Sequence, residues 1–226
     1  MLLSEANTLA QSGQPAEAIF LYEQHIGQHP NDYAAWNNRG NALDDLGRHE
    51  EAIASFETAL AIKPDYPQAL CNKGVVLHQL NRNQEAIECF DRSIALDPSF
   101  ALAYTNRGNA RRHLHQYDLA LADYVRATEL DAALVNAHWN ESTCRLLLGD
   151  YDLGWKKHEW RWQTNTVRSQ TQNTPRTTWK LGDHIQGKSF TLWPEGGFGD
   201  AIQFTRFALD LRSLGAKVSI TAPPAL

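Results

Sequence analysis

The chain has 226 residues, 42% of them hydrophobic and 21% charged, with a formal net charge of −5 and an isoelectric point near 6.0. That length leaves room for one domain or two, and the acidic balance speaks against a nucleic-acid partner. Three cysteines, Cys71, Cys89 and Cys144, suit neither a disulfide framework nor a zinc site, and no apolar run approaches the ~20 residues needed to span a bilayer.

The N-terminus, Met1-Leu2-Leu3-Ser4-Glu5, has no basic segment and no apolar core of signal-peptide length, so a soluble, cytoplasmic protein is expected. The cysteines, inside helical stretches, suit small core positions in a reducing compartment. The chain starts within a repeat unit, which leaves Leu2, Leu3 and Leu9 partly uncovered and allows more repeats upstream in a longer parent.

Four units of one pattern follow, over residues 1–32, 33–66, 67–100 and 101–134. The second is the clearest, with Trp36, Gly40, Leu43, Ala52, Phe56, Ala59 and Pro64. Shifted by 34 residues it returns as Leu70, Gly74, Leu77, Ala86, Phe90, Ser93 and Pro98, and then as Tyr104, Gly108, Arg111, Ala120, Tyr124 and Ala127. Shifted backwards it gives Leu2, Ala6, Leu9, Ala18, Tyr22 and Pro30. Each unit holds two amphipathic segments, for instance 34–46 and 50–62. Gly47 ends the first and Pro64 closes the second. Gly40, Gly74 and Gly108 recur mid-helix at a cost of about 1 kcal/mol each relative to alanine, which implies close approach of the second helix. Ala18, Ala52, Ala86 and Ala120 are the expected small partners there, and Tyr22, Phe56, Phe90 and Tyr124 the expected filling between successive hairpins. No hairpin buries its apolar side alone, so the units must stack. The pattern resembles the tetratricopeptide repeat, and the resemblance implies a mainly α fold, a solenoid of helical hairpins.

Acidic side chains outnumber basic ones over residues 1–100, and the balance reverses over 101–180. The basic group includes Arg107, Arg111, Arg112, Lys156, Lys157 and Arg161, readable as a solvated helix face or as an acid-binding strip. His113 and His115, two apart on a helix, face different ways, and no metal site or cofactor is expected. Residues 135–162 keep the period and lose its chemistry: Ser142 replaces the glycine, Gly154 the alanine and His158 the aromatic residue. Trp155, Trp160 and Trp162 crowd together, either as the packing of a capping hairpin or as an aromatic ligand platform.

Residues 163–186 form a polar linker. Within 187–226, Ser189–Trp193 alternates as a strand, Gly196, Gly197 and Gly199 make a turn, 201–214 is an amphipathic helix, and Lys217–Thr221 is a second strand: a βαβ unit. This stretch resembles the opening of bacterial heptosyltransferase-like, family-nine glycosyltransferases, built from two Rossmann-like domains. The resemblance implies a phosphate or nucleotide-sugar loop at Gly197, Gly199 and Asp200, with Asp200 as the candidate catalytic base. One βαβ unit cannot cover both faces of a parallel sheet. The chain is therefore expected to be the front of a longer transferase or a relict, without turnover of its own, and open to self-association.

The sixth position of each full unit is asparagine: Asn38, Asn72, Asn106 and Asn140. Asn41 and Asn109 add a second row, which Asn7 joins. Asparagine is a poor helix former, so a row of it implies a return, unless the copies are merely inherited and solvated. The row resembles the asparagine ladder in the repeat superhelix of O-linked N-acetylglucosamine transferases. That likeness implies that Asn38, Asn41, Asn72, Asn106, Asn109 and Asn140 hold the main chain of an extended peptide, since an amide both donates and accepts. The expected function is a protein-interaction module with a protein or peptide partner; the alternative is the N-terminal part of a repeat-bearing glycosyltransferase.

Overall fold

The computed structural model describes residues 2–164, 184–192 and 207–220. Two compact units divide the chain, Met1–Gln172 and Asn173–Leu226. Among its described residues the first is a run of ten helices in antiparallel pairs: α1 (Leu2–Gln11) with α2 (Pro15–Gln28), α3 (Tyr33–Asp45) with α4 (His49–Ile62), α5 (Pro67–Gln79) with α6 (Asn83–Leu96), α7 (Ala101–His113) with α8 (Tyr117–Leu130), and α9 (Val135–Leu147) with α10 (Tyr151–His158). A short 3-10 helix, Glu159–Gln163, follows α10. Each second helix also packs on the next first helix, so the hairpins stack in sequence.

The turn inside every hairpin is built the same way. One residue adopts a left-handed conformation: Gly13, Gly47, Asn81, His115 and Gly149, spaced by one repeat. The N–H that follows returns to a carbonyl five residues back, as in Arg48 to Leu43 at 2.9 Å, Arg82 to Leu77 at 2.9 Å and Gln116 to Arg111 at 2.9 Å. This is the Schellman closure, which satisfies carbonyls that the helix end leaves open. Asn81 and His115 occupy a position that favours glycine, so His115 lies in a turn and not on the helix with His113.

The mid-helix glycines face a different neighbour from the expected one. A β-carbon on Gly40 would lie 2.5 Å from Phe56 Cε1; on Gly74, 2.6 Å from Phe90 Cε1; and on Gly108, 2.6 Å from Tyr124 Cε1. The aromatic ring thus lies on the glycine of its own hairpin, and the small alanines are not what the glycines make room for. Phe56, Phe90 and Tyr124 are fully buried in consequence, and Tyr22 is buried as well although Ala6 stands at the glycine position of the first hairpin. The last hairpin changes both members together: Ser142 stands at the glycine position and donates to or accepts from His158 Nδ1 at 3.1 Å. A smaller ring leaves room for a hydroxyl, and a hydrogen bond replaces the apolar contact.

The tryptophans near the end of this unit do not form one buried cap. Trp160 stacks on His138 with centroids 4.0 Å apart and Trp162 lies over the Arg161 guanidinium at 4.2 Å, whereas Trp155 is 60% exposed.

In the second unit, β1 (Ser189–Leu192) and β2 (Lys217–Ile220) pair in parallel, Ser189 opposite Lys217, with α11 (Phe207–Ser213) between them in sequence. Among the described residues the sheet has these two strands alone; the strand–helix–strand order expected from the sequence is present with parallel pairing, but it is too small to be a clear Rossmann-like fragment. The glycine-rich turn with Gly197, Gly199 and Asp200 lies outside the described residues, as does most of the polar linker.

Phe90→Ala should cost about 3–5 kcal/mol, as for other buried aromatic residues. Gly74→Ala should also destabilise, because overpacking of about 1–3 kcal/mol exceeds the helix-propensity gain of about 1 kcal/mol. With Phe90→Ala already present, Gly74→Ala should turn neutral or stabilising. Thermal melts of the four-member cycle check this; additive effects would show that ring and glycine do not meet.

Candidate functional site

First helices of successive hairpins touch one another directly, α1 with α3, α3 with α5, α5 with α7 and α7 with α9, while successive second helices make fewer contacts. The first helices therefore line the tighter side of the stack. The asparagines lie on these helices, and most are half-buried, Asn41 being exposed.

They are not idle copies. Asn38 Nδ2 donates to Asn7 Oδ1 across the hairpin boundary at 3.1 Å, and Asn140 Nδ2 to Asn109 Oδ1 at 2.8 Å. Between these ends the register shifts by four residues: Asn72 Nδ2 donates to Asn37 Oδ1 at 3.1 Å, and Asn106 Nδ2 points at Cys71 Sγ at 3.6 Å. The amides at the sixth position thus each tie one hairpin to the one before. Buried tyrosines brace the accepting amides. Tyr22 donates to Asn7 at 2.8 Å and Tyr124 to Asn109 at 2.9 Å. Burial pushes the Tyr124 hydroxyl up to about 12, so it remains a donor at any ordinary pH. Asn37, which is buried and sits one residue before the row, is part of this system and was missed by a search for strict 34-residue recurrence. Its own recurrences are Cys71 and Thr105.

Each row amide has two N–H groups and a carbonyl. One N–H is spent on the preceding hairpin, which fixes the plane of the side chain. Among the described residues the Oδ1 atoms of Asn72, Asn106 and Asn140 have no protein partner, while Asn38 Oδ1 accepts from Asn37 at 3.2 Å. The arrangement can present oriented acceptors, one per hairpin, to N–H groups arriving from outside.

Behind this row, ion pairs lock the hairpins in register. A cation just before each glycine reaches an acid sixteen residues earlier on the preceding second helix: Arg39 to Glu23 at 2.7 Å, Lys73 to Glu57 at 2.7 Å and Arg107 to Asp91 at 2.6 Å. Arg107 and Arg111 also share the buried Asp123, at 2.6 and 2.8 Å. The basic residues at 107 and 111 are thus consumed inside the fold and are not an open strip. In the last hairpin the polarity inverts, with Glu141 at the cation position, buried and held by Arg145 at 2.8 Å and Lys157 at 2.5 Å. The three cysteines are buried and unpaired, burial pushing the Cys71 thiol up to about 11. No cluster of metal-ligating side chains occurs among the described residues, and none of the helices there is long and apolar enough to cross a membrane.

Family models described as tetratricopeptide repeat match residues 3–67, 67–100 and 89–122. The matched span ends before the C-terminal stretch, so the glycosyltransferase resemblance there gains no support from it. No curated protein matches the chain. Among solved structures, MamA residues 41 to the end from Desulfovibrio magneticus RS-1 is 21% identical, with a TM-score of 0.60 over 76% of this chain and 96% of that one. The first repeat domain of Spaghetti (RPAP3), bound to the HSP90 peptide SRMEEVD, is 25% identical, with a TM-score of 0.51 over 52% of this chain and 93% of that one. YrrB, described as having an unusual peptide-binding site, is 18% identical, with a TM-score of 0.56 over 76% and 90%.

Asn140→Ala should lower stability by about 1 kcal/mol through loss of the bond to Asn109, whereas Asn41→Ala, at an exposed position, should change it by less than about 0.5 kcal/mol. Denaturant titrations distinguish them; equal effects would mean that the inter-hairpin bonds do not contribute.

Proposed function

We propose that this tetratricopeptide-repeat protein, its matched repeats running from residue 3 to residue 122, is a protein-interaction module that holds an extended peptide or partner segment along its first helices. The observation that carries the reading is the amide row. Asn72, Asn106 and Asn140 are oriented by bonds to the preceding hairpin, and each retains a carbonyl oxygen with no partner among the described residues. Oriented acceptors one hairpin apart suit the main chain of an extended segment, whose N–H groups recur regardless of sequence. Asn38 and Asn109 act mainly as links in the row, and Asn41 supplies an exposed amide beside it. Two fold relatives described as bound to a peptide or as having a peptide-binding site accord with a peptide partner.

The site differs from a simple ladder in one respect. Its amides also hold the hairpins together, so binding and stacking share the same side chains. A bound strand would strengthen the stack by mass action, since it binds the folded hairpins and not the unfolded chain.

The test is Asn72→Ala with Asn106→Ala. Helix content by circular dichroism should persist, and stability should fall by about 1–3 kcal/mol for two lost bonds. Capture of extended peptides, measured well below the melting temperature, should weaken about tenfold. Unchanged capture on a peptide array would remove the amide row from the site.

A further inference from the structure

The first helices carry few charges that the fold does not consume. Arg39, Lys73, Arg107, Arg111, Glu141 and Arg145 are all engaged in ion pairs. What remains is segregated along the stack, with Glu5 exposed on α1 at the acidic end. Asp44 and Asp45 end α3; Asp45 is exposed with no ion pair among the described residues, and Asp44 is held by the His49 ring at 2.9 Å and by Gln79 at 3.4 Å. Arg112, in the last turn of α7, is exposed, interacts with the Tyr124 hydroxyl and has no ion pair among the described residues.

Contacts between neighbouring first helices connect the two ends. Asp44 meets Gln79 across the α3–α5 boundary. His78, the next residue back on α5, meets the His113 ring edge-on with centroids 5.6 Å apart across the α5–α7 boundary. The buried Asn83 holds both rings from behind, touching each at Nδ1. Arg112 adjoins His113, and Tyr124 links it to Asn109 of the amide row. An acidic end, a histidine-lined polar middle and a basic end thus run beside the amides.

We propose that this line selects a bipolar peptide, with a cationic residue set against Asp44 and Asp45 and an anionic residue set against Arg112; the proposal rests on the peptide-binding reading above. Helices in contact lie about 8–10 Å apart, so α3 and α7 are separated by roughly 16–20 Å. At about 3.3 Å per residue of extended chain, the two charges stand about five to six residues apart in the peptide. Exposed charges of this kind select by a few fold each and respond to salt. The amides supply grip without sequence, and the charges supply direction.

Fluorescence anisotropy on the full chain tests this with twelve-residue peptides of one composition. One carries two lysines near its N-terminal end and two glutamates six residues on, a second has the order reversed, a third interleaves the charges, and a fourth replaces them by serine. One of the two segregated peptides should bind about tenfold tighter than the interleaved one at low salt, and the advantage should vanish at 0.5 M salt. Arg112→Gln and Asp45→Asn should weaken that preference with unchanged helix content. Arg112→Glu combined with Asp45→Lys should transfer it to the peptide of opposite order. Equal binding of all four peptides would overturn charge selection while leaving the groove reading intact. Absence of binding by every peptide would overturn both.

Discussion

The contact between a mid-helix glycine and an aromatic ring sixteen residues later governs the rest of this fold. A methyl group at Gly40, Gly74 or Gly108 would intrude to within 2.5–2.6 Å of the ring, so the ring can lie flat on the first helix only where no side chain intervenes. That closeness sets the spacing of the two helices in these three hairpins, and with it the surface offered to the next hairpin; in the first hairpin Ala6 takes the position and Tyr22 is still buried. The helix-propensity cost of glycine is about 1 kcal/mol per hairpin, which is small beside the several kcal/mol that a buried aromatic ring contributes. The exchange to Ser142 and His158 in the last hairpin follows the same rule, since more volume on one side is met by less on the other.

Given hairpins of fixed thickness, register between them falls to polar links rather than to apolar packing, which tolerates sliding. Arg39, Lys73 and Arg107 each reach back to an acid on the preceding second helix, and the asparagines reach back on the opposite side. The half-buried ion pairs matter less for net stability than for alignment, because desolvation offsets much of their attraction. In the last hairpin Glu141 pairs with Lys157 and Arg145 of its own hairpin, so among the described residues this joint lacks the back-reaching ion pair of the three before it.

Much of the stack was legible because a fixed period multiplies weak evidence. Glycine, alanine and aromatic positions recurring together make the helix boundaries readable to within a residue or two. The partner of the glycine was misassigned, however. Sequence spacing shows that two positions vary together, not which of several recurring small or large residues occupies the space. The turns at Asn81 and His115 were hidden because neither residue is glycine, although they fall one and two repeats from Gly47. Asn37 escaped for a related reason, since its bond to Asn72 spans 35 residues and its role passes to Cys71 in the next hairpin. The arginines at 107 and 111 read as a basic strip only while Asp123, sixteen and twelve residues on, was not known to face them.

The dual use of the asparagines has a further physical consequence. An amide that bonds only to solvent can rotate to suit any ligand and loses that freedom on binding, at about 0.5–1.5 kcal/mol per ordered side chain. Here the ordering is completed when the hairpins stack, because one N–H of Asn72, Asn106 and Asn140 is already committed to the preceding hairpin. The row is therefore preorganised by folding, and the same bond that steadies it also spaces the acceptors by one hairpin. Helices packed about 8–10 Å apart set that spacing at close to three residues of extended chain. A peptide running along the row would thus meet a row amide at about every third residue, leaving the residues between free to be chosen by whatever lines the helix ends beside it.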